Sequence, residues 1–148
     1  ADNHLSQARI WFDSNRLKLN EDKTQHLICS LLTIEDNHPH TAKLLGFELD
    51  SKLTWNHHID NTCTRLARVT YLLRKLKNLL TETCLVNVYH ALFHSILGYG
   101  LILWGHAPRC HRILLLQKKA VRVITGSRWL EHCKPLFTGL GILTVYSQ

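Results

Sequence analysis

Histidine and cysteine are the residues here that could hold a metal or act as nucleophiles, and their spacing argues against both. The chain carries eleven histidines and five cysteines. His90 and His94 stand at i and i+4, which on a helix projects two imidazoles to one side as a ligand pair. No glutamate follows His90 in the HExxH order, and no CxxC supplies further ligands. The adjacent pairs Cys110 with His111 and His132 with Cys133 lack metal-ligand spacing, so no metal site is expected. The carboxylates that cluster, Glu21 with Asp22 and Glu35 with Asp36, fall in predicted turns. Two-metal phosphoryl transfer instead needs carboxylates converging from rigid elements. There is no GxSxG and no phosphate-binding glycine loop, so catalysis by this chain alone is not expected. Cys29, Cys63, Cys84, Cys110 and Cys133 are odd in number and far apart. They read as free thiols of a reducing compartment, which implies an intracellular protein, nuclear or cytoplasmic.

The chemistry the sequence does offer is cationic. Eighteen Lys and Arg against eleven Asp and Glu give a net charge of +7, which favours an anionic partner, nucleic acid before any other. The charges have a pattern. In residues 55–80, Ile59, Leu66, Leu73 and Leu80 recur every seven residues, with Thr62, Val69 and Leu76 between them. At about 100° per residue, Arg65, Arg68 and Lys75 fall together on the opposite side of that helix. In a later helix, Ile113, Ala120 and Ile124 share one side with Leu116 and Val121 at its flanks. There Arg112, Lys118, Lys119 and Arg122 gather opposite. A merely solvated surface is the plain alternative for either helix, but two basic faces in one domain favour a polyanion. A membrane is not expected: no apolar run approaches the roughly 20 residues of a spanning helix, and no signal-peptide pattern is present.

A chain of 148 residues with 45% hydrophobic content suffices for one packed domain to carry these cations. The lack of any Met implies a segment of something longer. Residues 3–15 read as a short helix with Leu5, Ala8 and Phe12 on one face, Trp11 beside them and Asn15 as left-handed terminator. Residues 24–32 alternate as a strand, 35–40 as a turn around Pro39, and 44–50 as a second strand with Leu45, Phe47 and Leu49 on one face. The two strands are expected to pair as a hairpin, with Gly46 as a bulge or a point of close backbone approach. Thr54 is the expected cap of the long helix and Thr81 that of a third helix over 82–97, with Leu85, Val88, Leu92 and Ile96 inward. Gly98, Gly100 and Gly105 bracket a very apolar segment, 99–105, expected to be buried. Pro108 starts the fourth helix, which ends near Ile124 with Gly126 just beyond. Residues 135–140 read as a short helix and 142–146 as an extended end. Trp55, Trp104 and Trp129 are expected in the core rather than stacked on bases.

Six motifs in order carry a family resemblance. They are W-x3-N-x-L-K-L-N-x2-K-T (11–24), K-L-L-G-F-x-L-D (43–50), L-T-W-x2-H-I (53–59), Y-G-L-I-L-W-G (99–105), Q-K-K-A-V-R-V-I-T-G (117–126) and C-K-P-L-F-x2-L-x-I-L-T (133–144). Over nearly the whole chain they resemble the C-terminal part of jockey-like non-LTR (LINE) retrotransposon reverse transcriptases. The resemblance implies a segment that follows the metal-binding Asp pair of the palm. Residues 1–52 would be the end of the palm with hairpin and primer grip, 53–126 a helical thumb, and 127–148 a linker or tail. It implies an α+β fold, predominantly α-helical, with a short primer-grip-like β-hairpin followed by a helical thumb bundle.

The resemblance also implies roles. Lys23 matches a lysine near the end of the palm, the candidate accessory general acid of the parent enzyme. Lys43 opens the primer-grip motif, in which Gly46 would let backbone approach the primer's 3′ end. Arg65, Arg68 and Lys75 would meet template–primer phosphates, and Arg112, Lys118, Lys119 and Arg122 would contact backbone further along. The implied partners are an RNA–DNA hybrid or duplex nucleic acid and the upstream palm and fingers of the parent polypeptide. Mg²⁺ is implied for the parent polymerase and no cofactor for this chain, which lacks the Asp pair. The competing expectation is a degenerate or co-opted element fragment acting as a helical protein-interaction module.

Overall fold

A computed structural model describes residues 2–25, 27–29 and 41–148. Its fold is α+β and predominantly helical, with a two-stranded antiparallel hairpin followed by helices. Helix α1 (Asp2–Ser14) comes first, then a 3₁₀ turn (Glu21–Lys23). The left-handed residue after α1 is Arg16, with φ of 55°, and not the expected Asn15. Asn15 instead donates its side-chain amide to the Trp11 carbonyl, 2.8 Å away.

The hairpin differs from the expected one. Among the described residues of 24–32 there is no strand, and the rest of that predicted strand lies outside the described residues, as does the whole 35–40 turn. The hairpin instead turns at the start of the second predicted strand, 44–50, with the residues just before it as its first arm. Strand β1 (Thr41–Leu44) pairs with β2 (Phe47–Asp50), Thr41 opposite Asp50 and Leu44 opposite Phe47. Leu45 and Gly46 form the two-residue loop, with φ of 49° and 83°. Two successive positive φ angles match the right-handed twist of the flanking strands, which is why such a loop closes tight hairpins. Gly46 is therefore a turn residue and not a bulge.

Asp50 then organises the approach to the long helix α2 (Asn56–Leu76). Its carboxylate accepts hydrogen bonds from the Lys52, Thr54 and Trp55 backbone N–H groups and from Thr54 Oγ1, at 2.9 to 3.1 Å. Burial pushes the carboxyl up, but those four donors outweigh it and hold Asp50 below its ordinary value. Thr54 is thus bound to Asp50 and does not cap α2. The residue at the cap is Trp55, in the left-handed region, and its side chain makes no cap bond.

Ile59, Leu66 and Leu73 of α2 are fully buried, with Thr62 beside them and Val69 and Leu76 packed on the core. Leu80 lies past the helix end and is exposed. α2 packs mainly on α6 (His111–Thr125). Pro108 opens the 3₁₀ turn (Pro108–Cys110) that leads into α6, and Gly126 ends it with φ of 75°, both as expected. Lys77, just after α2, donates its ammonium to the Val123 and Ile124 carbonyls at 2.8 and 3.2 Å. A cation at the negative end of α6 also suits the helix dipole.

The third helix is continuous from α3 (Glu82–Val88) through a π turn (Tyr89–His94) to α4 (Ser95–Gly98), and Thr81 caps it as expected. Of the expected inward residues Leu85, Val88, Leu92 and Ile96, Leu85 is buried, Val88 and Ile96 are half-buried against the core, and Leu92 is exposed; the fully buried positions are Leu85, Tyr89, Phe93 and Leu97. A four-residue repeat drifts by about 40° per turn on an α-helix. The wider π turn removes that drift, so the aromatic residues stay on the core side while Leu92 turns outward.

Segment 99–105 is not buried throughout. It forms the short helix α5 (Leu101–Trp104), in which Trp104 is fully enclosed while Ile102 is 92% exposed. Trp55 is also buried, but Trp129 is 79% exposed and so departs from the expected core position. The last helix, α7 (Cys133–Leu140), leads to a turn and not to an extended end, and Ile142 and Val145 join the core. Buried Gln117 fastens that tail. Its amide donates to Tyr89 Oη at 2.9 Å and to the Leu143 carbonyl at 2.8 Å, and its oxygen accepts from Val145 N–H at 2.9 Å. Burial pushes the Tyr89 phenol up to about 12, with the Gln117 bond opposing.

His58 sits among the rings of Phe47, Trp55 and Trp104, at centroid distances of 5.4 to 6.0 Å. Burial pushes its imidazole below the ordinary 6.5, with Glu48 opposing and Arg65 assisting. A depressed folded value means the unfolded chain binds the proton more tightly. Stability should be full above pH 6.5 and should fall as pH drops from there through the folded value. Urea midpoints measured across that range should show this slope for the wild type and a flatter one for His58→Gln. Leu66→Ala should cost about 2–5 kcal/mol through the cavity it leaves, whereas Leu72→Ala on the outer side should change stability by about 0.5 kcal/mol or less. Equal losses in the two unfolding curves would contradict the burial described here.

Candidate nucleic-acid interface

The basic side of α2 follows directly from its packing. With Ile59, Leu66 and Leu73 turned inward, the helical repeat turns Arg65, Arg68 and Lys75 to solvent. None of the three is ion-paired among the described residues. Lys75 places its ammonium 5.4 Å from the centroid of the Tyr71 ring, one turn back on the same helix. Tyr71 was not singled out in the sequence, although its positions three after Arg68 and four before Lys75 were legible there.

The cations of α6 do not act as one face. Arg112 and Lys119 turn towards α2 and line a groove of about 470 Å³ with Asp60, Thr64 and Ala67. Arg112 pairs with Asp60, which also receives Arg109 at 3.2 Å. Lys118 and Arg122 turn the other way, into a groove of about 630 Å³ against α7 and the tail. The Arg122 guanidinium donates to the Glu131 carbonyl at 2.9 and 3.2 Å. The helical repeat explains the split. Arg112 and Lys119 are seven residues apart and Lys118 and Arg122 four, which puts the pairs on opposite shoulders of α6. Arg109 was missed because its link to Asp60 spans forty-nine residues and leaves no local pattern.

The remaining candidate positions belong to elements other than α2 and α6. Lys23 is exposed in the 3₁₀ turn. Lys43 reaches Glu48 across the hairpin at 3.2 Å, and its backbone N–H donates to the Gln25 side chain at 2.8 Å. Gly46 lies against the ring of Tyr99, which a Cβ would meet at an ordinary 3.8 Å. The Tyr99 hydroxyl donates to the Leu45 carbonyl, so the hairpin tip and the start of α5 are tied together.

Cys63, Cys110 and Cys133 are buried in the core. Burial pushes the thiols of Cys63 and Cys110 up, which keeps them protonated and unreactive near neutral pH. His90 and His94 have ring centroids 5.5 Å apart. Among the described residues no group of three or more His, Cys, Asp or Glu is placed to hold a metal ion. The Mg²⁺ implied by the resemblance therefore has no fitting ligand set among them. Among the described residues no helix is long and apolar enough to cross a membrane.

No family model and no solved structure matches the chain. Its sequence is 38% identical over 149 residues to the RNA-directed DNA polymerase from mobile element jockey of Drosophila melanogaster, a match that covers 90% of this chain and 16% of the relative. It is 33% identical over 115 residues to the probable RNA-directed DNA polymerase from transposon X-element of the same species, covering 74% of this chain and 13% of the relative. The corresponding protein from transposon BS is 28% identical over 98% of this chain and 18% of its own length. The chain thus spans less than a fifth of the length of the curated relatives it matches. Over the matched residues, this chain belongs to the family of jockey-like non-LTR retrotransposon RNA-directed DNA polymerases.

Proposed function

We propose that this chain is the template–primer-binding thumb segment of such a polymerase, with the adjoining end of the palm, and that it is not catalytic alone. Residues 1–52 would supply the palm end and the primer-grip hairpin, 53–126 the thumb, and 127–148 the linker. The observation that carries the proposal is the outer side of α2. Arg65, Arg68 and Lys75 are exposed there without carboxylate partners among the described residues, held in place by the leucines behind them. Cations fixed on a rigid helix and free of internal partners suit phosphate oxygens, and such contacts hold a duplex without reading its sequence. Lys119 adds an ammonium on α6 without a carboxylate partner among the described residues, whereas Arg112 must leave Asp60 before it can serve the same purpose. Lys23 would act only in the parent enzyme, near the leaving group, and the Mg²⁺ ligands would lie in the upstream palm.

An exposed apolar surface favours a second reading, a helical protein-interaction module. Leu44, Leu45, Tyr99, Ile102 and Leu103 are all exposed around the hairpin tip and α5, and clustered apolar surface commonly marks a protein contact. Charge reversal separates the two. Binding of a labelled RNA–DNA hybrid at low salt, read by fluorescence anisotropy, should be lost in Arg65→Glu/Arg68→Glu/Lys75→Glu. Undiminished hybrid binding by that variant would remove the phosphate contacts proposed for α2. With Mg²⁺, a primed template and nucleotides, the chain alone should extend no primer, and any extension product would contradict its non-catalytic role.

A further inference from the structure

We infer that Tyr71 makes the cationic side of α2 a seat for an unpaired nucleotide, whose base stacks on the phenol ring while Arg68 and Lys75 hold the neighbouring phosphates. This rests on the phosphate-contact role proposed above and adds a substrate class to it, single-stranded nucleic acid. Arg68, Tyr71 and Lys75 fall within about 60° of one another around the helix, and about 10 Å separates the first from the last along its axis. They form one short stripe opposite the buried leucines. Tyr71 is 58% exposed, and its one ring contact among the described residues is the Lys75 ammonium. A cation at that distance steadies the ring by the cation–π attraction and keeps the ammonium beside it.

Tyr99 offers a contrast. It is similarly exposed, but its ring is stacked on Phe47 at 4.8 Å and its hydroxyl is bonded to the Leu45 carbonyl. It is committed to the fold, whereas Tyr71 has the Lys75 ammonium over one face and no other ring contact among the described residues. An aromatic ring between cations that lack carboxylate partners is the combination that holds an unpaired strand. The charges follow its backbone, and the ring accepts any base because every base has a π face. A base-paired hybrid keeps its bases inside the duplex, so Tyr71 should matter little there.

The experiment compares an oligothymidylate with a strand of the same length in which the bases are replaced by abasic sites, both titrated with the 148-residue chain. The two strands carry the same phosphates, so their difference reads base contact alone. The wild type should bind the oligothymidylate roughly tenfold more tightly than the abasic strand. Tyr71→Ala should bind both at the abasic level, Tyr71→Phe should keep the preference, and Tyr71→Ala should bind the hybrid as the wild type does. Tyr71 is a surface residue, so the alanine variant should fold, and its circular dichroism checks this. Absence of a base preference in the wild type, or its survival in Tyr71→Ala, overturns the stacking role. If salt-sensitive hybrid binding persists in that case, the phosphate contacts of α2 stand without it. If neither hybrid nor single strand is bound, both fall.

Discussion

The burial of Ile59, Leu66 and Leu73 against α6 is the constraint on which the rest of the molecule depends. Three side chains seven residues apart fix the rotation of α2 about its axis. Once that rotation is fixed, the positions of Arg65, Arg68, Tyr71 and Lys75 are no longer free to vary. Burial of each large apolar side chain contributes about 1.5–3 kcal/mol, whereas exposed cations contribute little to folding. The apolar side therefore decides the orientation, and the charged side is carried along with it. A surface whose charges are placed by a core, and not by one another, has its cations ready for an external anion.

A few polar groups connect the outlying pieces to this core. Asp50 gathers the loop between the hairpin and α2, Lys77 holds the end of α6, and Gln117 holds the C-terminal tail. Gln117, fully buried, serves groups that would otherwise be left without partners, which is costlier to leave undone than it is favourable to do. The hairpin is held differently, by stacking of Phe47 on Tyr99 and by its contacts around His58. Burial holds the His58 imidazole below its ordinary value, so acid weakens this part of the hairpin's seat on α2.

Much of this was legible in the sequence because heptads and helix punctuation are local signals. The inward residues of α2, the limits of α6 between Pro108 and Gly126, and the cap at Thr81 all followed from spacing. What was not legible depended on partners distant in the chain or on unusual backbone. The hairpin was misplaced because Leu45 looks like a strand residue, and only its positive φ beside Gly46 turns the chain. The centre of the third helix's inward face, Tyr89 and Phe93 in place of Leu92, was not legible because a π turn changes the repeat that the periodicity argument assumes. The basic residues of α6 looked like one group until Asp60 and Glu131, from other elements, engaged Arg112 and Arg122 separately. Candidate cations were thus readable as exposed, but which of them remain unengaged was set by tertiary structure.

The salt dependence of hybrid binding by the unmodified chain tests the central claim most directly. Each phosphate neutralised should steepen the plot of log affinity against log salt concentration by about 0.9, so cations gripping from α2 should give a linear fall with a slope of about −3. A slope near zero would mean that whatever this surface binds, it does not hold it by its phosphates.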